Sequence, residues 1–193
     1  DVKHILATTA DVVDSDRSYS LSGINMYEWE TNAAGYKHHN WYGFGKVDAA
    51  EAVTTAASYT ANSRGTFVSA GYQSSGVISQ AVVYPNNSTN TISITKPTGS
   101  NDFVEFVRVS IQFSHAEPED IGIRLLSPDG TLINIMQPWM NIETNPASTL
   151  FEIGVSGFYG ESIEGNWTIA LNDYYNDSVN GTLLAWGIEI YGN

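Results

Sequence analysis

Histidines, carboxylates and serines are the side chains here that could do chemistry, and their spacing narrows it. The histidines are His4, His38, His39 and His115. No His-Glu-x-x-His occurs and no two stand at i, i+4, so a zinc-peptidase helix is unsupported. His38 and His39 could chelate a transition metal, but adjacent loop histidines more often face solvent or pack on an aromatic ring. No Gly-x-Ser-x-Gly elbow and no glycine-rich phosphate cradle exists. The chain has no cysteine, which excludes disulfides and thiol chemistry. Serines are many, but a triad is recognised by geometry, so none is assigned as a nucleophile.

The acidic residues say more. If 120–126 and 167–173 pair as antiparallel neighbours, Asp120 begins one strand and Asp173 ends the other. Both carboxylates then stand at one end of a sheet, with Glu119 and Asp177 close in sequence. Calcium takes about six to eight oxygens from carboxylates and loop carbonyls. Calcium is therefore the expected cation, and Asp120 and Asp173 are its candidate ligands. The competing reading makes both of them turn residues that accept backbone N–H groups.

The elements that must position these residues are read as strands. Trp167, Ile169 and Leu171 alternate with Thr168, Ala170 and Asn172; Leu184, Trp186, Ile188 and Ile190 alternate with Ala185, Gly187, Glu189 and Tyr191. Period-two alternation means one buried face and one wetter face. With turn residues across 173–181, the pair reads as a hairpin central to a β-sandwich. Further strands are expected near 77–83, 90–95, 103–114, 120–126, 131–136 and 148–153. In the longest, Val107, Val109, Ile111 and Phe113 share a face, and Ser127-Pro-Asp-Gly130 is a β-turn. Eight short strands with no helical period between them predict an antiparallel β-sandwich of jelly-roll type.

The first third differs. Val2, Ile5 and Leu6 give a short amphipathic helix over 2–9, and Asp48 opens a second helix running to about Ala57. Between them, 11–41 reads as irregular and aromatic, too long to stand without something to pack on. The expected organisation is a partly helical segment 1–57, a Ser/Thr/Asn/Gly-rich linker and first edge 58–75, and a sandwich 76–193. A formal charge of −13 disfavours nucleic acid and anionic membranes, and suits a soluble secreted protein that binds cations. No apolar run approaches the roughly 18 residues of a membrane span. The start at Asp1, with no signal-like segment, reads as a processed or excised piece.

Two stretches carry a family resemblance. Asp1-Val-Lys-His-Ile-Leu-Ala-Thr-Thr-Ala10, Trp29-Glu-Thr-Asn-Ala-Ala-Gly35 and His39-Asn-Trp-Tyr-Gly-Phe-Gly-Lys-Val-Asp-Ala-Ala50 resemble the end of a bacterial subtilisin/kexin-type catalytic domain. Ser114-His115, Glu119-Asp-Ile121, Leu125-Leu-Ser-Pro-Asp-Gly-Thr131, Gly165-Asn-Trp-Thr168 and Gly181-Thr-Leu with Trp186 resemble the P domain, also called Homo B, that follows it. The family's Asp, His, oxyanion-hole Asn and Gly-Thr-Ser serine have no counterpart: Gly65-Thr66 is followed by Phe67. The resemblance thus implies a non-catalytic module that packs on a secreted serine protease and stabilises it. Its expected partner is that protease's catalytic domain, with no nucleic acid and no membrane. The alternative is a carbohydrate- or protein-binding sandwich, which requires Trp29, Trp41 or Trp139 to be exposed and aligned in one patch.

Overall fold

The computed structural model describes residues 1–21, 24–139 and 151–193. Helix α1 (Val2–Thr8) is followed by two small hairpins, β1 (Tyr19–Leu21) with β2 (Ile24–Tyr27) and β3 (Glu30–Thr31) with β4 (Lys37–His38). Helix α2 (Ala49–Ser58) starts at Asp48, whose Oδ1 accepts from Glu51 N at 2.9 Å. The expected irregular stretch 11–41 is thus partly paired. Strands of two to four residues are too short to show a period of two.

The rest is a two-sheet antiparallel sandwich. One sheet has the order β11 (Leu132–Met136), β10 (Ile121–Leu126), β13 (Gly165–Asp173), β8 (Asn87–Ile94). The other runs β12 (Phe151–Val155), β9 (Val104–Ser114), β14 (Gly181–Gly192), with β5 (Val68–Ser69), β6 (Gln73–Ser74) and β7 (Gln80–Val82) strung along β14. Bonds from Ala70 N to Ile190 O, Ser75 N to Trp186 O and Ile78 N to Leu184 O join those three into one interrupted edge. All eight expected strands occur, though part of the segment 148–153 lies outside the described residues.

The hairpin reading of the last two strands is corrected. β13 and β14 lie in different sheets and face each other across the core. Trp167 on one and Trp186 on the other are both fully buried. Alternation tells which face of a strand is covered but not which neighbour it pairs with. The stretch 174–180 is long enough to cross the roughly 10 Å between packed sheets. A bulge between Leu183 and Ala185 also shifts the pattern, so Leu183, not Leu184, enters the core. Trp186 Nε1 donates to Asn90 Oδ1 on the facing sheet at 2.7 Å, and Trp167 packs edge-on to Phe158.

Residues 1–58 are seated on the sandwich by polar bonds, the most buried of them from Asn32. Asn32 Nδ2 donates to Gly157 O at 2.9 Å and Tyr159 O at 2.8 Å, while its Oδ1 accepts from Tyr36 N. Ala33 N donates to Thr131 Oγ1 and Glu161 Oε1. Tyr159 is buried among His4, Tyr36, Phe44 and Phe103, and burial lifts its hydroxyl well above the usual range. Gly160, at φ +88°, lets that loop pass; a Cβ there would meet the Tyr36 ring at 2.5 Å. His38 packs edge-on to Phe44, and burial, with His39 beside it, lowers its pKa to about 4.

Candidate metal centre

Register brings the two predicted aspartates to one place. Ile121 pairs with Asp173 at the end of the β10–β13 ladder, and Tyr174 N donates to Asp120 O at 3.0 Å just beyond it. Ahead of β10, residues Pro118–Asp120 form a 3₁₀ turn with Glu117 at its cap, and Asp120 N donates to Glu117 O. In a 3₁₀ turn, side chains at i and i+3 lie one above the other. That stacks Glu117 on Asp120. From the following connection, Asp177 joins them, its Oδ1 accepting from Val179 N at 2.8 Å. Carboxylate oxygens of Glu117, Asp120 and Asp177 come within 4.8 Å of one another.

Asp173 stands beside this group. Its Oδ1 accepts from Tyr175 N, and its buried Oδ2 has no hydrogen bond. His115 Nε2 lies 3.5 Å from that oxygen, also buried and also without a hydrogen bond. The other ring nitrogen, Nδ1, sits 2.7 Å from Glu117 O and 3.2 Å from Glu117 N. Gly181 makes room for the imidazole, since a Cβ there would come within 2.7 Å of His115 Cδ2.

The electrostatics are adverse for bare carboxylates. Burial, then the charges of Asp177, Glu119 and Asp173, raise the pKa of Asp120, with His115 partly opposing. Glu117 is raised first by a hydrogen bond with the Asp177 carboxyl and then by its charge. Among the described residues, no lysine or arginine forms an ion pair with any of the four acids. Such a set favours a bound proton or a bound cation. Its donors are all hard oxygens, the chemistry of calcium or magnesium rather than of zinc.

Sequence reading reached Asp120, Asp173 and Asp177 but not Glu117 or His115. A Glu-Pro-x-Asp spacing at a strand's start was the available signal for Glu117. His115 requires knowing that β14 begins over it. Glu119, expected nearby, is exposed and acts on Asp120 only through its charge.

The three tryptophans differ in burial: Trp41 and Trp139 are exposed and Trp29 is not. Trp29 is half-buried, donates to Val13 O and stacks on Tyr42. Trp41 contacts Tyr27, carries the Arg17 guanidinium 4.7 Å from its ring centre and remains 50% exposed. Trp139 packs on Tyr174.

The sequence model of the proprotein convertase P-domain family matches residues 104–190, from the start of β9 to near the end of β14. The chain is 28% identical to human proprotein convertase subtilisin/kexin type 6 over 197 residues, covering all of this chain and 19% of that protein. It is 27% identical to the Aeromonas extracellular serine protease of Aeromonas sobria, covering 95% of this chain and 33% of that protein. The chain therefore spans about a third or less of the curated relatives it matches. The crystal structure of the Aeromonas sobria serine protease superposes with a TM-score of 0.82 at 23% identity, covering all of this chain and 40% of that one, which shows a shared fold. Residues 104–190 of the sandwich are thus similar to the proprotein convertase P-domain, and with residues 1–58 before it the chain resembles throughout the C-terminal part of subtilisin/kexin-like serine proteases.

Proposed function

We propose that this chain is the non-catalytic C-terminal part of a secreted subtilisin/kexin-like serine endopeptidase. Residues 1–57 are then the last portion of the catalytic domain, and the P domain holds that domain folded. One observation carries the reading: the N-terminal segment is locked to the sandwich on one side and apolar on the other. Asn32, Ala33 and Tyr159 lie in the seam. Away from it, Val2 on α1 and Val53 on α2 are 72% and 70% exposed, with Leu6 and Val47 also outward. Two short helices turning valine and leucine to solvent are built to be covered. Covering them transfers apolar area at roughly 25 cal/mol per Å². A P domain that fixes their position would also slow the opening through which a protease cleaves itself.

The test is to express the longer protease with and without residues 58–193 and label both with a fluorophosphonate. The intact protein should be active and labelled upstream of Asp1, and the truncated one should yield little soluble active enzyme. Label on residues 1–193 expressed alone would overturn the proposal, as would full activity without the sandwich.

A further inference from the structure

The first third of the chain and the sandwich border a cavity of about 360 Å³ along their seam. Tyr27 at the end of β2, His38 at the end of β4, Asn40 and Trp41 form one wall. Ile133 and Ile135 of β11, with the stretch 154–156 that ends β12, form the other. The volume falls in the range of small-molecule sites, roughly 300–1,000 Å³. Arg17, seated on the Trp41 ring, is not part of this lining.

The lining is uncharged, although the chain carries 21 acidic residues and a formal charge of −13. Among the described residues, no carboxylate, lysine or arginine borders the cavity. Burial, with His39 beside it, lowers the pKa of His38 to about 4, so its ring is neutral near pH 7. A neutral imidazole offers one donor and one acceptor, and a hydroxyl offers both. Among the described residues, the His38 ring nitrogens and the hydroxyls of Tyr27 and Ser156 have no hydrogen-bond partner in the protein. Asn40 Nδ2 donates to Asn134 O at 3.1 Å, which leaves its Oδ1 as an acceptor. Trp41 is 50% exposed, and its ring meets that of Tyr27 with centres 4.2 Å apart. Aromatic and aliphatic surface therefore adjoins groups that both donate and accept.

An anion finds no counter-charge there. Glu28 and Glu30 line a small adjoining hollow, with His38 and Asn40, and repel it further. A cation finds no carboxylate in the lining itself. The ligand that fits is uncharged, carries many hydroxyls and has an apolar C–H face to lay on the rings. We propose that the seam cavity binds a neutral saccharide, with a sugar ring against Tyr27 and Trp41 and its hydroxyls bonded by His38, Asn40 and Ser156. One wall belongs to the first third and the other to the sandwich, so the bound sugar holds the seam shut. The site is independent of what covers α1 and α2.

The experiment uses the 193-residue chain with maltotriose, cellotriose, chitotriose and mannotriose as probes. Sialyllactose and a galacturonate trimer are the charged controls. Saturation-transfer NMR and tryptophan fluorescence should show saturable one-to-one binding of at least one neutral sugar, with a Kd of about 1 mM or tighter. The charged controls should not bind. Bound sugar should slow native-state trypsin cleavage at Lys37 and Lys46 by about tenfold at ten times its Kd, because it binds only the seated segment. Trp41→Ala should weaken binding by about tenfold or more. Ser156→Ala removes only a hydroxyl, keeps the fold, and should weaken binding by about threefold or more. Absence of saturable binding by all of the neutral sugars at about 10 mM overturns the proposal. So does binding that both variants leave unchanged, or binding that leaves cleavage unchanged. Equal binding of an uncharged peptide of alanine, serine and asparagine would also overturn it, by making the cavity a peptide seat.

Discussion

Replacing Trp167 by alanine is expected to cost roughly 3–5 kcal/mol, enough to leave much of the sandwich unfolded at moderate temperature. The side chain is fully buried, its ring meets Phe158 edge-on at 5.0 Å, and its Nε1 donates to Ile163 O at 3.1 Å. Removing it opens a cavity between the two sheets and strands that carbonyl. Trp167→Phe keeps most of the volume and should lose less. Urea unfolding reads both, with the midpoint moving and the slope unchanged. A loss below about 1 kcal/mol for the alanine variant would show that the core collapses around the gap.

Asn32→Ala should act on the seam rather than on the core. The side chain is 5% exposed and makes three backbone hydrogen bonds, two of them to the 157–160 loop. Leaving those partners unmet costs about 1–3 kcal/mol apiece, discounted where water enters, or roughly 2–4 kcal/mol in all. Asn32→Asp should be at least as damaging, because it turns an acceptor oxygen toward two carbonyls. The segment should then open while the sandwich stays folded. Trypsin cleavage at Arg17, Lys37 and Lys46 under native conditions should speed up by about 30-fold or more, following the open population. Unchanged cleavage would mean that the seam is held elsewhere, for example by His4 and Arg64 against Tyr159 and Phe103.

These expectations rest on features of uneven legibility in the sequence. The strand from Val104 to Ser114 and the turn at Ser127-Pro-Asp-Gly130 could be read directly, because alternation and turn chemistry are local. So could the meeting of Asp120 with Asp173, once two strands were taken as neighbours. The separation of Trp167 and Trp186 into opposite sheets could not. Both choices bury the same faces, and only three-dimensional closure decides between them. Asn32 lay within a stretch that carries the resemblance, but nothing in the sequence marked its side chain as the buried bracket it is in the structure. Glu117 depended on a single 3₁₀ turn, and His115 on a contact with residues far along the chain.

The central claim is that residues 1–58 present a face meant to be covered while the sandwich beside them already buries its own core. Hydrogen exchange tests it most directly, comparing the 193-residue chain alone with the same residues inside the longer protease. In the chain alone, 104–113 and 167–190 should exchange slowly and most of 11–41 quickly. In the protease, α1 and α2 should gain strong protection while β9, β13 and β14 change little. Equal protection of Val2–Thr8 and Ala49–Ser58 in both contexts would contradict the account.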